Sequence, residues 1–439
     1  MPGIPAGPVS RCAPHFPHAE GRRSRNTGGV PPMMSIAAAR ERVLKAVPEP
    51  RPETCSLQNA RGKILARDVT APGPLPRFPN SAMDGYAVCL PGAAGKEAPV
   101  LPVVGESAAG HPYPDPLEPG TAILISTGAR VPDGADRVIP VEQTEPQGDR
   151  VRILDPGTAG QHIRRAGEEV KAGDPVAAAG ERCTPALLSY LAGLDVDRLD
   201  VFSRPAVSII TTGEELVPPG TPLQDGQIRD TNRVFLHSLL RLLTIPVPSA
   251  VHVGDDFAAT LAAIETARAT SQVIVLTGGV SVGTHDHVRQ AAAAAGFQPV
   301  FWKVNQQPGK PLFFAVGESG LLFGLPGNPV SVMLTSLVYL LPALRKLSGE
   351  RTAGADPPLR GTFLSPSSPL KPGREKIRLV RITGWEKGLA LLRPVPHQQS
   401  HRISAVVRAH GYVILPGDWT EIPAGTVWPL TLFPWTVNP

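Results

Sequence analysis

The chain has 439 residues, 42% hydrophobic and 18% charged, enough to bury a large core and to form several domains. Its net charge of +5 is uneven, because residues 1–33 hold Arg11, Arg22, Arg23 and Arg25 against Glu20 and leave the rest near neutral. No basic run interleaves with aromatics, which argues against nucleic-acid binding, and four scattered cysteines without a CxxC pair fit reduced thiols in a cytoplasmic protein.

Residues 1–33 are rich in Pro, Gly and Arg, lack periodicity and are expected to be disordered. No apolar core follows Arg22-Arg23, so an export signal is rejected, and Met33 and Met34 stand as alternative starts. Ser35 is a plausible N-cap for a helix to about Val47, and Lys63 to Thr70 reads as a strand. A proline-rich linker, Ala71 to Pro79, delivers the chain to Asn80-Ser-Ala-Met-Asp-Gly-Tyr-Ala-Val88. Short strands and turns from about Val100 to Leu154 describe a small β domain. Gln161 to Val170 is polar and glycine-broken, hence a loop, and Thr184-Pro185 opens a helix reaching about Leu194.

A different rhythm begins near Ser203. Strands Ala206–Thr211 and Pro248–Val253 alternate with helices of about Thr231 to Leu243 and Asp256 to Ala269. Gln272–Leu276 then opens into a glycine-rich turn and a helix over Asp286 to Ala295. Leu321–Leu325 runs into Pro326-Gly-Asn-Pro329, where Pro329 suits the first position of an apolar helix. Alternation to about Gly349 predicts a parallel sheet covered on both faces, with ligands beyond the carboxyl ends of its strands. The apolar run Val330 to Leu344 contains Thr335, Ser336 and Pro342, is short for a bilayer and reads as a core helix, so no membrane is expected. Short strands Ile377–Thr383, Tyr412–Leu415 and Thr426–Leu432 make a C-terminal β domain.

The chemistry is expected at two anion-binding turns. Leu276-Thr-Gly-Gly-Val-Ser-Val-Gly283 presents backbone around Gly278, Gly279, Ser281 and Gly283, and the second turn does so around Pro326, Gly327 and Asn328. Alone, the first is a weak signal, being neither a Walker loop nor the dinucleotide fingerprint. Glu214, Glu215, Asp255, Asp256 and Asp286 fall at strand ends on the same side. Carboxylates beside phosphates repel unless a cation sits between them, and Mg2+ takes both kinds of oxygen. The bland alternative is that Asp255 caps the next helix and Glu214 is solvated. Lys310, fixed between Pro308, Gly309 and Pro311, suits a phosphate or an oxyanion. Asp84 in Met-Asp-Gly reads first as a turn residue. His285 and His287 flank Asp286, but an i, i+2 pair shares a side only on a strand.

Four ordered segments carry a resemblance: Asn80-Ser-Ala-Met-Asp-Gly-Tyr-Ala87, Thr277-Gly-Gly-Val-Ser-Val-Gly283, Pro308-Gly-Lys-Pro311 and Gly324-Leu-Pro-Gly-Asn-Pro-Val-Ser331. Over about residues 34–439 the chain resembles the molybdopterin molybdenumtransferase (MoeA) family, which includes the gephyrin E domain. The resemblance implies a multidomain α/β and β fold. A split helical and strand domain would take 34–71 and 168–202, an inserted β domain 72–167, a three-layer α/β pterin-binding domain 203–350 and a C-terminal β-barrel 351–439. It implies a homodimer with the cleft between the α/β domain of one subunit and the inserted domain of the other. The implied reaction inserts molybdate into adenylylated molybdopterin, with Mg2+-assisted hydrolysis releasing AMP. Transient contact with the molybdopterin adenylyltransferase is also expected.

Family motifs place functional roles on Asp84, Thr127, Glu215, Asp255, Asp286 and Lys310, and Ser400 matches a segment that helps hold molybdate. Of these, Glu215, Asp255 and Asp286 are the expected metal ligands, with Glu169. Two positions depart from the pattern: many members have lysine at Gln307 and aspartate at Glu169. The alternatives are a non-catalytic scaffold of the gephyrin type or a related pterin adenylyltransferase.

Overall fold

The computed structural model describes residues 33–90, 98–280, 287–318, 320–351, 359–367 and 369–437. Its central sheet has six strands, in spatial order Ala250–Val253, Val207–Thr212, Val273–Thr277, Gly320–Leu325, Phe313–Gly317 and Gln298–Trp302. The first four run parallel. The last two are joined by antiparallel pairing, so the sheet is parallel-rich with an antiparallel edge. The cause is local: Phe313–Gly317 returns directly into Gly320–Leu325, too short a connection for a parallel crossover.

Alternation along each strand serves two cores. Val207, Ile209, Val273 and Val275 face helices Ile36–Ala46, Thr231–Leu242 and the long helix from Pro329. Ile210, Ile274 and Leu276 face helices Phe257–Thr270 and His287–Ala294 through Ile264, Ala267, Val288 and Ala291. Side chains buried this completely contribute roughly 1.5–3 kcal/mol each, so this sandwich fixes the strand ends firmly. Helix starts follow their caps: Ser35 accepts from Ala38 N–H, Thr184 from Leu187 N–H and Asp256 from Ala259 N–H.

The Pro329–Leu347 helix is 19 residues long and apolar enough by composition to cross a membrane, yet 89% of its apolar window is buried among the core residues. Around Ser336–Leu340 it makes one wider turn, Leu341 N–H reaching back to Ser336 O. Pro342 follows, which has no N–H to donate, and the wider turn accommodates it without ending the helix.

Before this sheet lies a second one of six strands, built from Gly85–Val88, Val100–Ser107, Ala122–Ile125, Arg137–Pro140, Thr144–Gln147 and Arg150–Ile153. On either side of it in sequence, Pro52–Ser56 pairs with Arg198–Phe202, and Val69–Thr70 with Pro175–Ala177. The expected strand Lys63–Thr70 shrinks to Val69–Thr70, because Ile64 bridges Arg182 while Leu65 bridges Val201. One run divided between two partners forms no single ladder.

The C-terminal sheet has seven strands, including Glu375–Glu386 at its centre. Its two outermost strands, Val427–Pro429 and Thr431–Leu432, are separated only by Leu430, so the sheet must curl until its edges approach. Gln306–Gln307 joins it as a parallel strand beside Glu375 and Lys376. Gln306 is fully buried; its Nε2 donates to Gly309 O at 2.8 Å and its Oε1 accepts from the Tyr339 hydroxyl. Burial pushes the Tyr339 phenol pKa well up, keeping it a donor. Tyr339→Phe should strand a buried acceptor and cost about 1–3 kcal/mol, read as a lower urea midpoint at unchanged slope.

Candidate functional site

The carboxyl ends of three parallel strands are level. Thr211 pairs with Thr277, and Thr277 with Leu325, so Thr212-Gly213, Gly278-Gly279 and Pro326-Gly327 leave the sheet side by side. The chain leaves Val207–Thr212 toward one neighbour, Ala250–Val253, and later returns to the other, Val273–Thr277; ligands sit at such a reversal in an open α/β sheet. A cleft of about 720 Å³ opens there.

Hydrogen bonds fasten its floor. Gly278 N–H donates to Leu325 O at 3.3 Å, the Thr212 hydroxyl to Thr277 O at 3.3 Å, and Asn232 Nδ2 to Gly327 O at 2.8 Å. Buried Asp230 accepts from the Thr211 hydroxyl at 2.7 Å and from Arg233 N–H at 3.0 Å, tying the helix start to the strand end. Glycine is required at position 278, where φ is +87° and a Cβ would lie 2.7 Å from Thr212 O. The Trp302 indole N–H donates to Val280 O at 3.0 Å, with Arg289 3.7 Å from the ring centroid and Lys303 3.6 Å from it. Thr277 lines the cleft, and its buried hydroxyl has no hydrogen-bond partner among the described residues.

Of the residues nominated from sequence, Glu215, Asp255, Gly278, Gly279, Pro326, Gly327 and Asn328 line this one cleft. Asp256, not Asp255, caps the following helix, which leaves the Asp255 carboxylate to the cleft. Glu214 is exposed and outside the lining, as its bland reading held. Ser281, Gly283, His285 and Asp286 lie outside the described residues.

Other nominees stand apart. Asp84 and Thr127 meet each other, Thr127 N–H donating to Asp84 Oδ1 at 2.6 Å, both exposed and neither in the cleft lining. Glu169 is exposed, its N–H bonded to Leu75 O at 3.1 Å. Lys310 and Gln307 belong to the loop that ends at Pro311, a lining residue, and Gln307 lies in register with Lys376, whose pKa burial lowers. Ser400 O accepts from Val330 N–H at 3.0 Å, one residue from His401, which lines the cleft.

Sequence reasoning missed Thr212, Arg229, Asn232 and His401, all lining residues. Asn232 carried a usable signal, an amide in the first turn of a helix that follows a strand end; His401 belongs to the same segment as Ser400, and a distant part of the chain brings it to the cleft.

Three family models match the chain in order: the MoeA N-terminal region (domain I and II) over residues 34–194, a "Probable molybdopterin binding domain" over 208–346 and the MoeA C-terminal region (domain IV) over 364–433. The chain is 38% identical over 394 residues to molybdopterin molybdenumtransferase 2 of Mycobacterium tuberculosis, covering 87% of this chain and 96% of that protein. It is 34% identical over 395 residues to the molybdopterin molybdenumtransferase of Haemophilus influenzae, covering 90% and 97%. The crystal structure of the molybdopterin biosynthesis MoeA protein from Pyrococcus horikosii matches with a TM-score of 0.75 at 28% identity, covering 91% of this chain and 99% of that one.

Gly278→Ala should force the turn off Thr212 and strain its backbone, costing about 1–3 kcal/mol in thermal unfolding. Trp302→Phe loses the indole and its bond to Val280 O, so KM for the cleft's ligand should rise and stability should fall by about 1–3 kcal/mol in thermal unfolding.

Proposed function

The chain belongs to the MoeA family of molybdopterin molybdenumtransferases, and on that premise we propose that the glycine-lined cleft holds adenylylated molybdopterin while molybdate is placed on its dithiolene sulfurs and AMP is released. The protein acts in molybdenum cofactor biosynthesis as a transferase of molybdenum. The observation that carries the detailed reading is that two carboxylates, Glu215 and Asp255, share one cleft with both glycine-rich turns. A carboxylate beside a bound phosphate is unfavourable by itself, by about 4 kcal/mol for unit charges 4 Å apart at an effective dielectric of 20. A cation between them removes that penalty.

Among the described residues no three His, Cys, Asp or Glu gather to hold a metal. Magnesium needs only one or two carboxylates when substrate phosphates complete its shell, so Glu215 and Asp255 fit it, with Asp286 as the further candidate. When bound, it would offset the charge that develops on the phosphate oxygens as the phosphoanhydride breaks.

The protein's own groups do the rest. Backbone N–H groups at Gly279 and Asn328 would receive the phosphates, since those of Gly278 and Val330 are bonded to Leu325 O and Ser400 O, and Arg229 adds a guanidinium to the same cleft. Thr277 would meet a ligand polar atom with its unmatched hydroxyl. Lys310, beside Pro311, and Ser400, beside His401, are placed in this reading at the rim, for an oxyanion and for molybdate.

Asp84 and Thr127 are assigned to the cleft of a second subunit. Support comes from their mutual bond and exposure on a separate sheet, outside their own chain's cleft. A homodimer with composite clefts, a split domain over 34–71 and 168–202, and closure of the curled C-terminal sheet into a barrel complete the proposal.

Purified protein given adenylylated molybdopterin, molybdate and magnesium should release AMP. Asp255→Asn should slow that release by at least about tenfold with the fold intact, and excess magnesium should restore part of it. An unchanged rate refutes the carboxylate's role. Co-expressed Asp84→Ala and Asp255→Asn chains, each inactive alone, should regain about a quarter of wild-type activity, since half the dimers would carry one intact composite cleft. Failure of any mixture to recover activity would place Asp84 at its own chain's cleft instead.

A further inference from the structure

A second recess, of about 420 Å³, shares no lining residue with the glycine-lined cleft. Arg61, Lys63, Arg182, Arg204 and Arg345 line it, against a single carboxylate, Glu350. That carboxylate is already shared, pairing with Arg182 Nη2 and, at 3.8 Å, with Arg345 Nε. Lys63 pairs with Glu53, which is outside the lining. Arg61 and Arg204 pair with no carboxylate among the described residues. The Arg204 guanidinium donates only to carbonyls, Arg61 O at 3.1 Å and Thr244 O at 3.3 Å. Burial holds the Arg204 pKa below its ordinary value, and its neighbours Arg182 and Arg61 lower it further. The same recess is also lined by apolar side chains, Phe202, Leu243, Ile245, Leu341 and Leu344.

Glu350 and Glu53 together carry two negative charges against the five cations, so a net positive charge remains, and the hydrogen bonds present do not neutralise it. An anion would, and the apolar wall strengthens any charge interaction beside it by excluding water. Guanidinium forks match phosphate oxygens in pairs, whereas a carboxylate ligand would leave most of the five donors unused. The volume falls in the range of about 300–1,000 Å³ typical of small-molecule sites and exceeds what a bare inorganic anion fills. We propose that this recess binds a nucleoside di- or triphosphate, its phosphates on Arg61, Arg182 and Arg204 and its base on the Phe202–Leu344 wall.

Full-length protein titrated calorimetrically with ADP in the absence of magnesium tests this. Arg61→Glu replaces an exposed side chain that holds nothing else, and should weaken ADP binding by about tenfold or more while leaving AMP release at its wild-type rate. Asp255→Asn, in the other cleft, should leave that ADP affinity unchanged. Photolabelling with 8-azido-ADP should mark peptides containing residues 61–64 or 341–350. Arg204→Lys, which keeps the charge but loses the fork, should fall between wild type and Arg61→Glu. The inference is overturned if ADP does not bind, if Arg61→Glu binds it as wild type does, or if label appears only in the Gly278 and Asn328 peptides. Pyrophosphate binding as tightly as ADP would also overturn it, because the apolar wall would then be idle.

Discussion

The site depends on one row of backbone pairing. Thr211, Thr277 and Leu325 lie abreast across three parallel strands, and the turns Thr212-Gly213, Gly278-Gly279 and Pro326-Gly327 hang from them. Parallel ladders tolerate no fractional shift, and a slip by one residue would send Ile209 and Val275 from one core to the other. The two hydrophobic layers therefore hold the register, and the register holds the turns. Asp230 and Asn232 extend this control to the flanking helix, so that the strand end, the helix start and the Pro326–Asn328 turn move as one body.

Electrostatics divide the glycine-lined cleft from the basic recess. The cleft combines carboxylates with an anion cradle, which suits a phosphate ligand only in company with a cation. The basic recess needs no such intermediary, because its own side chains already carry the compensating sign. On the proposed reading, ionic strength would act mainly on the basic recess and magnesium mainly on the cleft.

Gln306 connects the layers. Its backbone joins the C-terminal sheet, while its side chain is held by Gly309 and by Tyr339 on the core helix. The loop carrying Gln307 and Lys310 is thus suspended between two units rather than resting on one. Gly309 has φ +88°, and a Cβ there would approach Thr335 Cγ2 to 2.6 Å, so the loop's close passage over the helix requires glycine.

Local patterns were legible wherever a short stretch of chain decides the outcome. Ser35, Thr184 and Asp256 marked helix starts, apolar runs marked the buried strands, and Pro329 opened its helix, since capping and periodicity act over a few residues. The Lys63–Thr70 strand was misread because its partners come from beyond residue 180, and strand pairing, unlike a cap, is settled by the partner. Likewise the glycines after Val273–Thr277 and Gly320–Leu325 marked their turns in the sequence, but of the five acids nominated only Glu215 and Asp255 prove to line the cleft, and Asp256 caps a helix. Tertiary structure alone decided that Glu215 and Asp255 share a cleft with His401 and Asn232, that Asp84 and Thr127 meet elsewhere, and that five scattered basic residues surround one recess. Those outcomes depend on long-range packing, whose free energy is summed over many weak contacts and leaves no mark at any single position of the chain.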